Sequence, residues 1–131
     1  MLASGFFSII SVIFLHCWGN HSELKPTLSS IQDNIFNQKC AISGCHVGSL
    51  PEAHLNLSEG KSYQNLVKVN SFQIRDMMRV QPGRPDSSYL LNKLEGGRLV
   101  GDVMPPGAKG LSREEIQVIR EWIQLGAERK D

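Results

Sequence analysis

The sequence predicts an all-α domain in which about four short helices are separated by long loops. Apolar residues recur at the three- and four-residue spacing of an amphipathic helix in several separate segments. Stretches rich in glycine, proline and serine divide these segments, and no run alternates apolar and polar residues over the length of a strand. The domain is expected to span residues 28–131, after a leader at residues 1–17 and a polar linker at residues 18–27.

The first stretch, MLASGFFSIISVIFLHC, is expected to be an export signal and not part of the fold. Its apolar run from Phe6 to Leu15 has the length of a signal-peptide core. The run is short of the roughly 20 apolar residues that span a bilayer. Because no Lys or Arg precedes it, a buried N-terminal helix or strand is the alternative. Export predicts a location in the periplasm or elsewhere in the bacterial cell envelope.

Cys17 ends this leader, at the place where a bacterial lipoprotein carries its lipidated cysteine. The bulky FLH before it fits a lipoprotein cleavage site poorly, so both the lipidated and the unlipidated form are considered. A lipid on Cys17 is the only membrane attachment expected, and it would leave Cys40 and Cys45 as a pair. His16 and His21 lie in or next to the leader and are assigned no role.

The charge composition argues against a nucleic-acid partner. The chain has 14 Lys and Arg against 13 Asp and Glu, a formal net charge of +1. It contains no basic block and no stretch in which aromatic and basic residues alternate, which are the usual signals of nucleic-acid binding. Aromatic residues make up 7% of the chain, so the core is expected to be modest, and a large apolar cofactor would help to stabilise it.

Two helices are expected in the first half of the domain. The first carries an apolar stripe at Leu28, Ile31, Ile35 and Phe36. Thr27 or Ser29 is expected to cap it, and it runs directly into Cys40. Residues 62–69 are expected to form a second, short helix that packs apolar side chains inward.

The second half predicts two more helices. Residues 87–94 follow the turn QPGRPD, in which Asp86 is expected to be the N-cap, and Gly96 is expected to end this helix. The last helix has the clearest start, since Ser112 and Glu115 form the two ends of a capping box. The segment RLVGDVMPPGAKG between these two helices contains too many glycines and prolines to be regular.

The segment KCAISGCHVG places Cys40, Cys45 and His46 within seven positions. Taken alone, it has three interpretations. A c-type haem site is one, although the usual spacing is C-x-x-C-H and here four residues separate the cysteines. A Cys40–Cys45 disulfide in an exported protein is the second. A zinc site that adds His54 as fourth ligand is the third, although its spacing is not that of the common zinc modules.

Three further stretches, read with this motif, resemble the small class I cytochrome c domain of bacteria. They are PGRPDSSYLLNKL, MPPGAKG and LSREEIQVIREWIQLGA, and the resemblance covers residues 28–127. The longer C-x4-C-H spacing is less common in that family and is the one departure from its pattern. The resemblance implies an all-α cytochrome c-like fold, in which short helices and long loops surround one covalently attached haem c.

The resemblance also implies a role for each residue of the site. Cys40 and Cys45 would form thioethers with the haem, His46 would be the fifth iron ligand, and Met104 the sixth. Gly44 is expected to adopt a backbone conformation that lets the longer loop bulge, although attachment through a single cysteine is also compatible with the spacing.

Competing assignments exist for the other candidate residues. Met77 and Met78 compete with Met104 as sixth ligand but lack the MPPG context. Arg84 and Lys93 are considered as partners of the haem propionates, with ordinary solvated charge as the preferred interpretation of both.

The function implied is one-electron transfer by an exported monohaem cytochrome c that passes electrons between redox partner proteins. No cluster of histidine, arginine and carboxylate residues is placed for substrate activation, so an enzyme is not expected. The alternative is a haem-free envelope protein with a Cys40–Cys45 disulfide that serves as a binding or structural module. A gas sensor, in which a ligand displaces Met104, is a third option.

Overall fold

The computed structural model describes residues 23–107 and 110–129. The expected leader at residues 1–17, the lipidation candidate Cys17 and the first part of the linker lie outside the described residues. Within the described residues no helix is long and apolar enough to cross a membrane.

The described chain is all-α, as the sequence predicts. Its helices are α1 (Leu28–Ile31), π1 (Gln32–Cys40), α2 (Ser62–Leu66), α3 (Tyr89–Glu95) and α4 (Arg113–Gln124), with short 3₁₀ turns at Glu52–His54 and Pro85–Ser87. No strand occurs in the described part of the chain. Two isolated bridges, Val67 with Val80 and Asn70 with Met78, are the only extended pairing found there.

The first helix begins where the sequence places it but changes its geometry. Thr27 is the N-cap, and its hydroxyl accepts a hydrogen bond from the Ser30 N–H. From Gln32 onward the helix has π geometry, as in the 2.7 Å bond from the Ala41 N–H back to the Phe36 carbonyl oxygen. Cys40 is the last residue of this wider helix, and π-helical turns are frequent at functional sites.

Helix α3 begins without the cap that the sequence predicts. Asp86 is not its N-cap; the carboxylate of Asp86 instead forms an ion pair with Arg120 at 2.6 Å. The first N–H groups of α3 donate to backbone carbonyls of the 78–79 segment, from Tyr89 to Met78 and from Leu90 to Arg79, each at 2.9 Å. A neighbouring segment therefore satisfies the donors that a local side chain was expected to bind.

Helix α2 is shorter than expected and ends at Leu66. Val67 is already extended, and the chain continues into backbone pairing with the 78–80 segment. The Lys68 N–H donates to the Val80 carbonyl oxygen at 2.9 Å, and the Arg79 N–H donates to the Val69 carbonyl oxygen at 2.7 Å. This pairing fixes the 78–80 segment, which contains Arg79, beside α2.

Helix α4 confirms the predicted capping box. The Ser112 hydroxyl accepts from the Glu115 N–H at 3.1 Å, and the Glu115 carboxylate accepts from the Ser112 N–H at 2.7 Å. The same carboxylate pairs with Lys39 of π1 at 2.7 Å and thus ties the two helices together. The helix ends with Leu125 as its C-cap.

One buried cluster holds the helices together. It contains apolar residues of helices α1, π1, α2, α3 and α4, together with Leu57 and Val80 from the loops. Its fully buried members include Ile31, Ile35, Phe36, Leu66, Leu91, Trp122 and Ile123. Helices α1 and α4 pack against each other, and α3 packs on α4. Trp122 is part of this core, and its indole N–H donates to the Glu128 carbonyl oxygen at 2.9 Å.

Candidate functional site

A cavity of about 340 Å³ lies between π1, α3 and the loops that follow Cys40 and precede α4. Its volume falls within the range of roughly 300–1,000 Å³ that is typical of small-molecule and cofactor sites. The wall is largely apolar and includes Leu55, Leu57, Leu66, Phe72, Leu90 and Leu94. A cavity of this kind suits a large apolar ligand with a few polar contacts.

The structure brings Cys40, Cys45, His46 and Met104 to the wall of this one cavity. The first three come from the end of π1 and the loop after it, while Met104 comes from the loop between α3 and α4. More than fifty residues of chain separate His46 from Met104, so their convergence is a property of the tertiary fold.

The loop between the two cysteines is closed by its own backbone. The Cys45 N–H donates to the Ile42 carbonyl oxygen at 3.0 Å, and the His46 N–H donates to the Cys40 carbonyl oxygen at 3.1 Å. Gly44 has a φ of +81° in this turn, as the sequence predicts, and glycine adopts such a conformation without steric cost. The intervening residues therefore form a turn that keeps the two ends of the motif together, with Ile42 and Ser43 exposed.

Both cysteines are free thiols in this structure and both are half-buried. Burial raises the pKa of the Cys40 thiol to about 11, with an opposing effect from the charge of Lys39. Cys40 is thus held as a neutral thiol near pH 7, and it is not activated as a nucleophile in the way that catalytic cysteines are.

The imidazole of His46 is oriented by a backbone contact. Its Nδ1 lies 3.2 Å from the Leu55 carbonyl oxygen, and because a carbonyl oxygen only accepts, Nδ1 carries the proton. Burial lowers the pKa of His46, although hydrogen bonds with the backbone of Leu55 and of Glu52 act in the opposite direction. A neutral imidazole with its proton on Nδ1 has a free lone pair on Nε2, which is the form that binds a metal.

Met104 is the one methionine among the described residues that lines the cavity. Met77 and Met78 are half-buried but belong to the segment that pairs with residues 67–71, outside the cavity wall. Of the three methionines considered as sixth ligand, Met104, which the sequence favoured for its MPPG context, is thus the one at the cavity. Pro105 and Pro106 line the cavity beside it.

Arg79 is a functional candidate that the sequence reasoning missed. The residue is 8% exposed, and its guanidinium donates to three backbone carbonyl oxygens, those of Asn65 at 2.9 Å, Ala53 at 2.9 Å and His54 at 3.3 Å. Within the described residues no carboxylate forms an ion pair with it, and burial lowers its pKa. A buried cation at a cavity wall favours an anionic ligand group.

A charged residue inside the apolar run MMRV was the signal that could have identified Arg79.

Arg84 and Lys93, the two basic residues that the sequence analysis considered as partners of the haem propionates, have different surroundings. Arg84 is exposed and lies outside the cavity wall, whereas Lys93 lines the cavity and is 8% exposed. The expectation of a solvated charge is therefore wrong for Lys93. Burial lowers its pKa, although the charge of Asp102 acts in the opposite direction.

The zinc interpretation is not supported. Among the described residues no three His, Cys, Asp or Glu side chains converge as metal ligands. His54 packs its ring edge-on against Phe72, with 4.8 Å between the ring centroids, and it does not join the cavity wall.

No protein-family model, no curated protein and no solved structure matches this chain.

Proposed function

We propose that this protein is a c-type cytochrome, an electron carrier that holds one haem c in the cavity bounded by π1, α3 and the Met104 loop. The observation that carries the proposal is that Cys40, Cys45, His46 and Met104 all line that one cavity. Two thiols, an imidazole and a thioether are the donor set of a covalently attached, His/Met-ligated haem. The site would supply one-electron exchange between the ferric and ferrous states of the bound iron.

Cys40 and Cys45 would each provide a sulfur for a thioether. The hydrogen bond from the His46 N–H to the Cys40 carbonyl oxygen supports this assignment, because it keeps both ends of the longer loop at the cavity. The raised pKa of the Cys40 thiol bears on how the bond would form. A buried, neutral thiol is a poor nucleophile, so attachment is expected to depend on a cellular haem-attachment system.

His46 and Met104 would be the axial ligands. The Leu55 carbonyl oxygen fixes the His46 tautomer that leaves Nε2 free to bind iron, which is the usual second-shell arrangement of a metal-bound histidine. A thioether ligand raises the reduction potential of haem iron. The largely apolar wall around His46 and Met104 would limit the access of water to the bound iron.

Arg79 would compensate the negative charge of the haem propionates. It is buried at the cavity wall, and three carbonyl oxygens hold its guanidinium in place. Ser71 and Gln73 lie on the same wall and offer further polar contacts. Lys93 is a second buried cation on the cavity wall, whereas most of the remaining lining is apolar.

Electron transfer needs partners rather than a substrate, and the proposed partners are redox proteins of the cell envelope. The proposed location is the periplasm or the envelope membrane, with a lipid on Cys17 as the only proposed membrane attachment. An exported compartment is oxidising, and there the thiol pair would be either oxidised or bound to haem, so export and haem c are linked parts of the same proposal.

Visible spectroscopy of the matured protein tests this function. We expect a low-spin ferrous spectrum of c type and, in the ferric state, the charge-transfer band of an iron–thioether bond. A five-coordinate, high-spin ferric spectrum in correctly matured protein would refute the assignment of Met104.

A further inference from the structure

We propose that Tyr89 and Lys93 of α3 position Met104 by clamping the loop at residues 100–104. This inference rests on the proposed function, because it concerns how the chain holds its sixth iron ligand. Both are positioning residues, since each acts on the loop and not on the iron.

Lys93 binds the loop from both its side chain and its backbone. Its ammonium group donates to the Val100 carbonyl oxygen at 2.9 Å and to the Asp102 carbonyl oxygen at 2.5 Å. Its own carbonyl oxygen accepts the Met104 N–H at 2.7 Å. Lys93 therefore binds the loop at three points. Two of these bonds come from its ammonium group, and hydrogen bonds from a charged donor are stronger than neutral ones.

Tyr89 holds the same loop one helical turn earlier. Its hydroxyl accepts the Val100 N–H at 3.1 Å and donates to the Gln73 side-chain oxygen at 3.0 Å. Residues four apart lie on the same face of an α-helix, so Tyr89 and Lys93 present their polar ends to one stretch of chain. The N–H and the C=O of Val100 are thus both bound to α3.

Apart from the contacts to α3, the described part of the loop is held by the packing of Met104 against the core and, just before it, by Arg98, which binds Asn92 and Asp76. It has no regular secondary structure between α3 and α4, and the Val100 and Val103 side chains are 50% and 42% exposed. Ordering the backbone costs conformational entropy, so a free loop would weaken any bond that Met104 forms. The contacts to α3 supply that order and so would reduce the cost of binding iron through Met104.

Displacement of Met104 by added imidazole measures how firmly the loop is held. Ferric holoprotein is titrated with imidazole, and loss of the iron–thioether charge-transfer band reports the exchange. Lys93→Met removes the ammonium group at similar side-chain length, and Tyr89→Phe removes only the hydroxyl. Lys61→Met, at an exposed position outside the cavity wall, is the matched control.

We expect Lys93→Met to raise the apparent imidazole affinity about tenfold and Tyr89→Phe about threefold, in line with charged and neutral hydrogen bonds. Lys61→Met is expected to match the unmodified protein. If Lys93→Met fails to mature, Tyr89→Phe decides the question. Unchanged imidazole affinity in the matured variants, with the charge-transfer band present, overturns the clamp and leaves the cytochrome proposal standing. Unmodified protein without a Met-ligated haem overturns both.

Discussion

The backbone N–H of His46 donates to the carbonyl oxygen of Cys40 across 3.1 Å, and this bond joins the two ends of the cysteine motif. Under the proposed function, it would let a C-x4-C-H sequence take the place of the usual C-x-x-C-H. The two additional residues are taken up by the turn at Ile42–Cys45, and the cysteines and His46 still line a common cavity.

Replacing Met104 tests the sixth ligand. Met104→Ala is expected to keep the covalent haem, because the cysteines are unaffected, but to lose the iron–thioether band and to lower the reduction potential. Met77→Leu is the control, since Met77 lies outside the cavity wall. Visible spectra and a redox titration make the comparison, and loss of the band in Met77→Leu but not in Met104→Ala would reverse the assignment.

Replacing Gly44 tests the bulged loop. Gly44→Ala places a side chain at φ +81°, which is expected to reduce the free energy of unfolding by about 1–2 kcal/mol. Gly110→Ala is the control. At both Gly44 and Gly110 an added methyl group would meet no neighbouring atom, but of these two glycines only Gly44 has a positive φ. Denaturant unfolding of both variants measures the difference, and equal stability would show that the turn does not depend on Gly44.

Replacing Arg79 tests the buried cation. Arg79→Met removes the donor to the carbonyl oxygens of Asn65, Ala53 and His54 and is expected to cost the holoprotein about 1–3 kcal/mol of unfolding free energy. Its reduction potential should also fall, because a nearby positive charge favours ferrous iron. Arg84→Met, at an exposed position, is expected to change stability by about 0.5 kcal/mol or less. Equal effects of the two variants would argue against a role for Arg79.

Replacing Glu115 tests the bond between π1 and α4 through its pH dependence. Burial acts to raise the pKa of Glu115, but hydrogen bonds from Lys39 and Ser112 outweigh it, and the pKa lies below its ordinary value of 4.5. A lowered folded-state pKa stabilises the fold above the ordinary pKa, and this stability is lost as the pH falls through the folded-state pKa.

Glu115→Gln should therefore lower the free energy of unfolding by about 0.5–1 kcal/mol at pH 7, with the difference from the unmodified protein vanishing in acid. Glu114→Gln, an exposed neighbour in the same first turn, is the control. A difference that is independent of pH would contradict the ion pair with Lys39 as its cause. Unfolding curves at a series of pH values make the measurement.

Local signals predicted the helices well where the stabilising contacts are themselves local. The capping box of Ser112 and Glu115 and the stop at Gly96, which has a φ of +83°, depend on residues within a few positions of each other. The N-terminus of α3 was predicted wrongly because backbone carbonyls of the 78–79 segment, and not Asp86, satisfy its donors.

The sequence singled out four residues that line the cavity, but it did not indicate the contacts that support them. Cys40, Cys45 and His46 are close together in sequence, and Met104 has a recognisable proline context. Arg79 is buried by carbonyl oxygens from two other segments, and Lys93 is buried by the loop that it binds, so neither environment can be seen in a local pattern. Interactions between distant segments are what the sequence alone leaves undetermined.

The intact mass of the denatured protein, produced with a haem-attachment system, tests the central proposal most directly. We predict a mass increased by one haem that survives denaturation, and loss of that increase in a Cys40→Ala/Cys45→Ala double variant. A colourless protein lighter by two hydrogens, as a Cys40–Cys45 disulfide requires, would contradict it.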